Sequence, residues 1–280
     1  LLTDSAADLT AQELQALQIT VIPLGVHFGA DAYLDGRTLD RPTFYRLLQS
    51  SAVFPTTSQP SPADFESCFS AARAKGDDVV AVLLSSALSG TFQGACIARE
   101  MVLEEHPEKQ ICVIDSRAAA GAMVLLIRRA QALMEAAGDD GDFDALCQQL
   151  HRYQATLRTC FPLENFDNLI KNGRMRPIVG TLLRSLGIHI IADATAEGTI
   201  HVADKARGVG KTYRAITALM KASKDCTDAE VVISHCENLE GAMALKRQIL
   251  ADLPVKQVDL LSCRGLTSFY AMEKGLIVGY

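Results

Sequence analysis

Short apolar runs alternate with helical patterns through the first half of this chain, and the runs end in polar residues. VVAVLL (79–84) stops at Ser85-Ser86, and TFQGACIAREMVLEEH (91–106) follows with helical spacing. QICVIDS (110–116) ends at Asp115-Ser116 and gives way to the long helical pattern AAAGAMVLLIRRAQALMEAAG (118–138). Unbroken apolar runs of this length are what strands buried on both faces require. Their alternation with helices predicts a parallel sheet covered by helices. ITVIPLGVHF (19–28) reads as one further strand, and RPTFYRLLQS (41–50) as a helix. SPADFESCFSAARAKG (61–76) reads as a helix capped by Ser61, with Pro62 in its first position and Phe65, Phe69 and Ala72 on one face.

The second half has another texture. LRTCFPLENFDNLIKNGRMRP (157–177) holds a strand, a short helix and a basic turn. HIIADATAEGTIHVADKAR (189–207) reads as two antiparallel strands joined near Glu197-Gly198. A helix (211–222), a strand (230–236), a helix (239–250) and a strand (255–262) complete it. At 280 residues, two units are expected. The predicted fold class is α/β with two domains: 1–155 with a parallel sheet and flanking helices, and 156–280 with a mixed sheet.

The net charge of −6 excludes a nucleic-acid partner as the main role, because phosphate binding needs a basic face. The eight cysteines form no CxxC pair and are expected as buried thiols in a reducing compartment. No apolar stretch reaches membrane-span length, so a cytoplasmic protein of bacterial style is expected. No His/Cys/Asp cluster has metal-ligand spacing, and no metal or cofactor is expected. RGVGKT (207–212) lacks the first glycine of a phosphate-binding loop, since Lys205 occupies that position.

Three strands ending at Thr3-Asp4-Ser5, Ser85-Ser86 and Asp115-Ser116, together with the loop FPTTSQPS (54–61), point to a cleft at the carboxyl ends of the sheet. The alternative is that these groups only cap the following helices. SSALSGTFQGA (85–95) opens a helix with Ser89, Gly90 and Thr91. Hydroxyls, free amides and a glycine that allows close approach attract an anion. With no Lys or Arg in the segment, a carboxylate fits better than a phosphate. A second reading makes Ser89 a nucleophile for hydrolysis or transfer of an acyl or phosphorylated substrate, with His235 at a strand end as its base. A third is a sensor for a small carboxylate.

TDSAADL (3–9), VIPLGVHFGADAYLDG (21–36), TTSQPSPADF (56–65), SSALSGTFQGA, VIDSRAAAG (113–121) and LIKNGRMR (169–176) occur in the order seen in the DegV family. The chain resembles that family of fatty-acid-binding proteins over nearly its whole length. The resemblance implies a two-domain fold with one long-chain fatty acid buried between the domains. It implies a carboxylate held by Thr57 and Ser89, with Ser58 and Gly90 beside them. It further implies a non-catalytic subunit that presents the acid to an ATP-dependent fatty-acid kinase for acyl phosphate formation. LIKNGRMR maps onto the family's basic turn, which the resemblance places near the head group and which makes Arg174 and Arg176 the residues implied in partner docking or in contact with the developing acyl phosphate. The family often ends in HxGPG, with the histidine near the head group. In LLSCRGLTSFY (260–270), Cys263 stands where that histidine is expected, leaving Arg264 or water to take its role.

Overall fold

The computed structural model describes residues 1–280 apart from 109, 139–140 and 177–186. The chain begins with β1 (Leu2–Asp4) and α1 (Ala11–Ala16), whose Thr10–Glu13 capping box satisfies the first helical amides. The run 19–28, expected as one strand, is two. β2 (Thr20–Ile22) pairs with β1, whereas β3 (Gly25–Phe28) belongs to a different sheet with β4 (Asp31–Leu34). Pro23 between them has no N–H for a ladder, and the Leu24 N–H donates to the Ser5 hydroxyl instead. α2 (Arg41–Ser50) starts at the Asp40 cap as the sequence predicts. β5 (Thr56–Ser58), read from sequence as loop, adds to the other side of β3. Three residues of Thr and Ser carry too little pattern to announce a strand.

α3 (Pro62–Ala74) has the expected Ser61 cap, completed by Asp64, and buries Phe65 and Phe69. Next come β6 (Val79–Leu83), α4 (Thr91–Glu105), β7 (Ile111–Asp115) and α5 (Ala120–Ala137). The first sheet is fully parallel in the order β2-β1-β6-β7. α6 (Phe143–Thr156) leads out of this half.

The rest runs β8 (Thr159–Leu163), α7 (Asp167–Lys171), β9 (Ile188–Ala194), β10 (Ile200–Arg207), α8 (Val209–Ser223), β11 (Glu230–His235), α9 (Leu239–Asp252), β12 (Gln257–Ser262), α10 (Gly265–Ala271) and β13 (Leu276–Gly279). The second sheet has the order β10-β9-β8-β13-β11-β12, and only β11 and β12 run parallel. The mixed sheet and the β9–β10 hairpin are as predicted. The RGVGKT segment simply opens α8, where the Thr212 hydroxyl donates to the Gly208 carbonyl.

α5 joins the two halves. Residues 120–127 are all buried, too apolar all round for a surface helix. The helix lies against β6 on one side and against β11 and β13 on the other. Gly121 makes the closest approach: a Cβ there would lie 2.8 Å from Val232 Cγ1 and 2.9 Å from the Val232 carbonyl oxygen. All eight cysteines are free thiols; Cys68, Cys96 and Cys147 are half-buried and the other five buried.

Candidate binding site

The polar residues at the strand ends divide into two groups. Thr3, Asp4, Ser5 and Ser85 are wholly buried. Thr3 donates to the Val82 carbonyl (2.8 Å), and Asp4 accepts from the amides of Ala6 (2.9 Å) and Leu84 (2.7 Å), so TDS locks β1 to β6. Ser85 donates to the Gly198 carbonyl at 2.9 Å, and Asp115 accepts from the amides of Ser86 and Arg117. At these strand ends neither alternative applies: the groups are outside the cavity lining and cap no helix, but bond to the backbone of neighbouring strands and loops, with Ser86 also donating to Asp115.

The cavity lies further along. Its polar lining includes Thr57, Ser58 and Gln59 of the β5 segment, Ser89, Arg174 and Tyr270, with Arg117, Thr159 and Thr267 elsewhere on the wall. The remaining wall is mostly apolar and includes Leu24, Leu84, Ala118, Phe161, Leu163, Ile200 and Ile277. Both halves of the sequence contribute. Thr57 is half-buried, and its hydroxyl meets that of Tyr270 at 2.8 Å. Ser58 is exposed on the rim and bonds His27 Nε2 at 2.8 Å. Ser89 pairs with the Thr91 hydroxyl at 2.8 Å and accepts the Thr91 N–H. Gly90 is the N-cap of α4 and packs under Gln59, where any Cβ would strike the amide oxygen. The structure therefore brings Thr57, Ser58 and Ser89 to one cavity, with Gly90 immediately behind.

Arg174 supplies the cation that the 85–95 segment lacks. It lines the cavity, donating from Nε to the Leu88 carbonyl at 3.1 Å and from Nη1 to that of Asn172 at 2.5 Å. Its charge is thus fixed beside Ser89, although 85 positions separate Arg174 from Ser89 in the chain. Arg176 is exposed. Among the described residues, Ser89 has no imidazole or carboxylate as hydrogen-bond partner. His235 is buried outside the cavity lining, and burial, with Arg41 adding to it, holds its imidazole below the usual range. No group of three or more His, Cys, Asp or Glu could hold a metal among the described residues. No described helix is long and apolar enough to cross a membrane.

Residues 1–275 match the family described as "Uncharacterised protein, DegV family". The chain belongs to the DegV family. A DegV domain-containing protein of Streptococcus gordonii is 30% identical over 285 residues, covering 100% of this chain and 98% of its own. Among solved structures, a DegV family protein of Ruminococcus gnavus refined with vaccenic acid superposes with TM-score 0.91 at 26% identity, covering 100% of this chain and 98% of that one. The Streptococcus pneumoniae fatty acid kinase B3 protein, loaded with linoleic acid, gives TM-score 0.87 at 28% identity over 100% of this chain and 97% of that one.

The DegV C-terminal segment needs a correction. Cys263, assigned by sequence to the histidine position, is buried beside Asp8, Thr267 and Cys236 and is not part of the cavity lining. Arg264 does not reach the cavity either. Its amide donates to Asp8, and its guanidinium lies over Gly36 close to Asp35. Tyr270 is the residue of this segment that faces Thr57. Sequence reading missed it because the apolar stretch GLTSFYA gives no sign of which side chain turns inward.

Proposed function

We propose that this protein binds a long-chain fatty acid in the cavity and presents its carboxylate to an ATP-dependent kinase partner. One observation carries the reading: a mostly apolar-walled cavity on whose wall the Thr57–Tyr270 hydroxyl pair, Ser89 and Arg174 stand close together. That distribution suits a monoanionic head and a long apolar tail. A tail of about 15 methylenes offers roughly 12 kcal/mol of transfer free energy at about 0.8 kcal/mol each. The head group then needs only satisfied hydrogen bonds and a nearby positive charge. In this reading Thr57 and Ser89 donate to the carboxylate, Ser58 and Gly90 shape its approach, and Arg174 lies against it. Arg176, exposed two residues further on, joins Arg174 in docking the kinase. The acid lies between the units 1–155 and 156–280, a reading supported by the mixed origin of the cavity wall. The protein itself performs no chemistry, and phosphoryl transfer belongs to the partner.

Native mass spectrometry of freshly purified protein, followed by organic extraction, tests this. One long-chain fatty acid per chain is expected. A protein that arrives empty and takes up neither palmitate nor oleate overturns the reading.

A further inference from the structure

The hydroxyls of Thr57 and Tyr270 meet at 2.8 Å in the cavity wall, from positions 213 residues apart. The segment that delivers Tyr270 is braced at both ends. Ahead of α10, the Arg264 amide donates to Asp8 at 2.8 Å; within it, the Leu266 amide donates to Asp35 at 3.2 Å and the Thr267 hydroxyl to Asp8 at 2.5 Å. Both carboxylates are buried, and each accepts hydrogen bonds from this segment. Toward the other end, the Asn168 side chain donates to the Phe269 carbonyl at 2.6 Å. The Tyr270 ring stands edge-on to Phe269, with centroids 4.7 Å apart. A seven-residue helix fixed by this many buried polar contacts sets a tyrosine hydroxyl in one place.

Two hydroxyls bonded to each other hold two protons and use one between them. The other remains available to an acceptor in the cavity. Burial pushes the Tyr270 phenol up, and Arg174 opposes that rise, which puts the guanidinium charge within reach of the same spot. A donor with no charge of its own, beside a fixed cation, is what a carboxylate needs to be oriented rather than merely neutralised.

We propose that Tyr270 is a positioning residue for the bound carboxylate: the Thr57–Tyr270 hydroxyl pair delivers a donor to one carboxylate oxygen and turns the head group toward Arg174. This rests on the fatty-acid reading above and adds a residue to it. Ser89 reaches the head group from the start of α4, so the acid is held from two separate elements.

The test uses the intact protein loaded with [1-13C]palmitate and read by 13C NMR, alongside palmitate Kd. Tyr270→Phe keeps the ring and removes the donor. It is expected to raise Kd about tenfold, the loss of one hydrogen bond to a charged group, and to move the bound carboxyl resonance. Tyr270→His restores a donor. It is expected to recover Kd to within about threefold and to make the carboxyl resonance titrate near the ordinary imidazole pKa of about 6.5. A purely structural tyrosine would not produce that titration. The proposal is overturned if Tyr270→Phe leaves both Kd and the resonance at wild-type values. If the Phe variant does not fold, the His variant decides: a carboxyl resonance that ignores imidazole titration overturns the proposal. No bound resonance in the wild-type protein would sink the fatty-acid reading itself.

Discussion

At the scale of single residues, hydroxyl and carboxyl groups in this protein do two different jobs that look alike in sequence. Ser89 and Thr57 face a cavity, while Thr3, Asp4 and Ser5 are consumed by backbone. Ser89→Ala is expected to weaken palmitate binding only about three- to tenfold, because the tail dominates affinity. Partner-dependent acyl phosphate formation should fall much further, since that step needs an oriented carboxylate. Titration calorimetry beside a kinase assay separates the two, and equal losses would contradict this division. Asp8 gives a second residue-level prediction. Burial pushes Asp8, like Asp4, up to about 6, against the hydrogen bonds it accepts. The unfolded carboxyl titrates near 3.8, so the native state holds its proton more tightly. The stability this contributes is fully present below about pH 4 and is lost as pH rises through about 6. Urea unfolding between pH 4 and pH 7 should show that loss in the wild type and a shallower one in Asp8→Asn. Identical slopes would show that Asp8 is not the titrating group.

At the scale of elements, the close approach of α5 to β11 is the most exacting contact. Adding a methyl at Gly121 forces the helix off Val232, whose carbonyl cannot retreat without disturbing the β11–β13 ladder. Gly121→Ala should cost about 1–3 kcal/mol, less the roughly 1 kcal/mol that alanine gains over glycine in a helix. The urea midpoint should fall at constant m-value; an unchanged midpoint would mean that the helix shifts freely. Element reading from sequence succeeded where signals are local. The Ser61 cap and Pro62 start α3, and the apolar runs of β6 and β7 appear where the pattern places them. It failed at β5 and α10, which are short and take their form from the neighbours they pair with or lean on.

At the scale of the whole molecule, Arg128 on α5 ties distant parts of the chain together. It donates to Glu13 on α1 at 2.7 and 3.0 Å and to Asp259 on β12 at 2.6 Å. The trio is partly exposed, so its value is well below that of a buried network. Arg128→Met should lower stability by about 1–2 kcal/mol and make the protein less sensitive to added salt, both readable from denaturant curves at low and high ionic strength. Ligand acts on the same scale. Palmitate at about 100 times its Kd should add roughly 2.7 kcal/mol of apparent stability and raise Tm in a concentration-dependent way. A Tm that ignores palmitate would count against the cavity as its site.

The sequence by itself determined the strand-helix alternation, the mixed sheet of the second half, and three of the hydroxyls that line the cavity, Thr57, Ser58 and Ser89. These follow from hydrophobic period, capping and motif order, which are properties of neighbouring residues. Only the tertiary structure decided that Pro23 parts one apolar run into two sheets, that Arg174 is tethered to the Leu88 carbonyl, and that Tyr270 rather than Cys263 or Arg264 meets Thr57. Those facts depend on chain segments separated by tens to hundreds of residues. Burial of a shared core brings them together, and no local pattern records which side chain will then face inward.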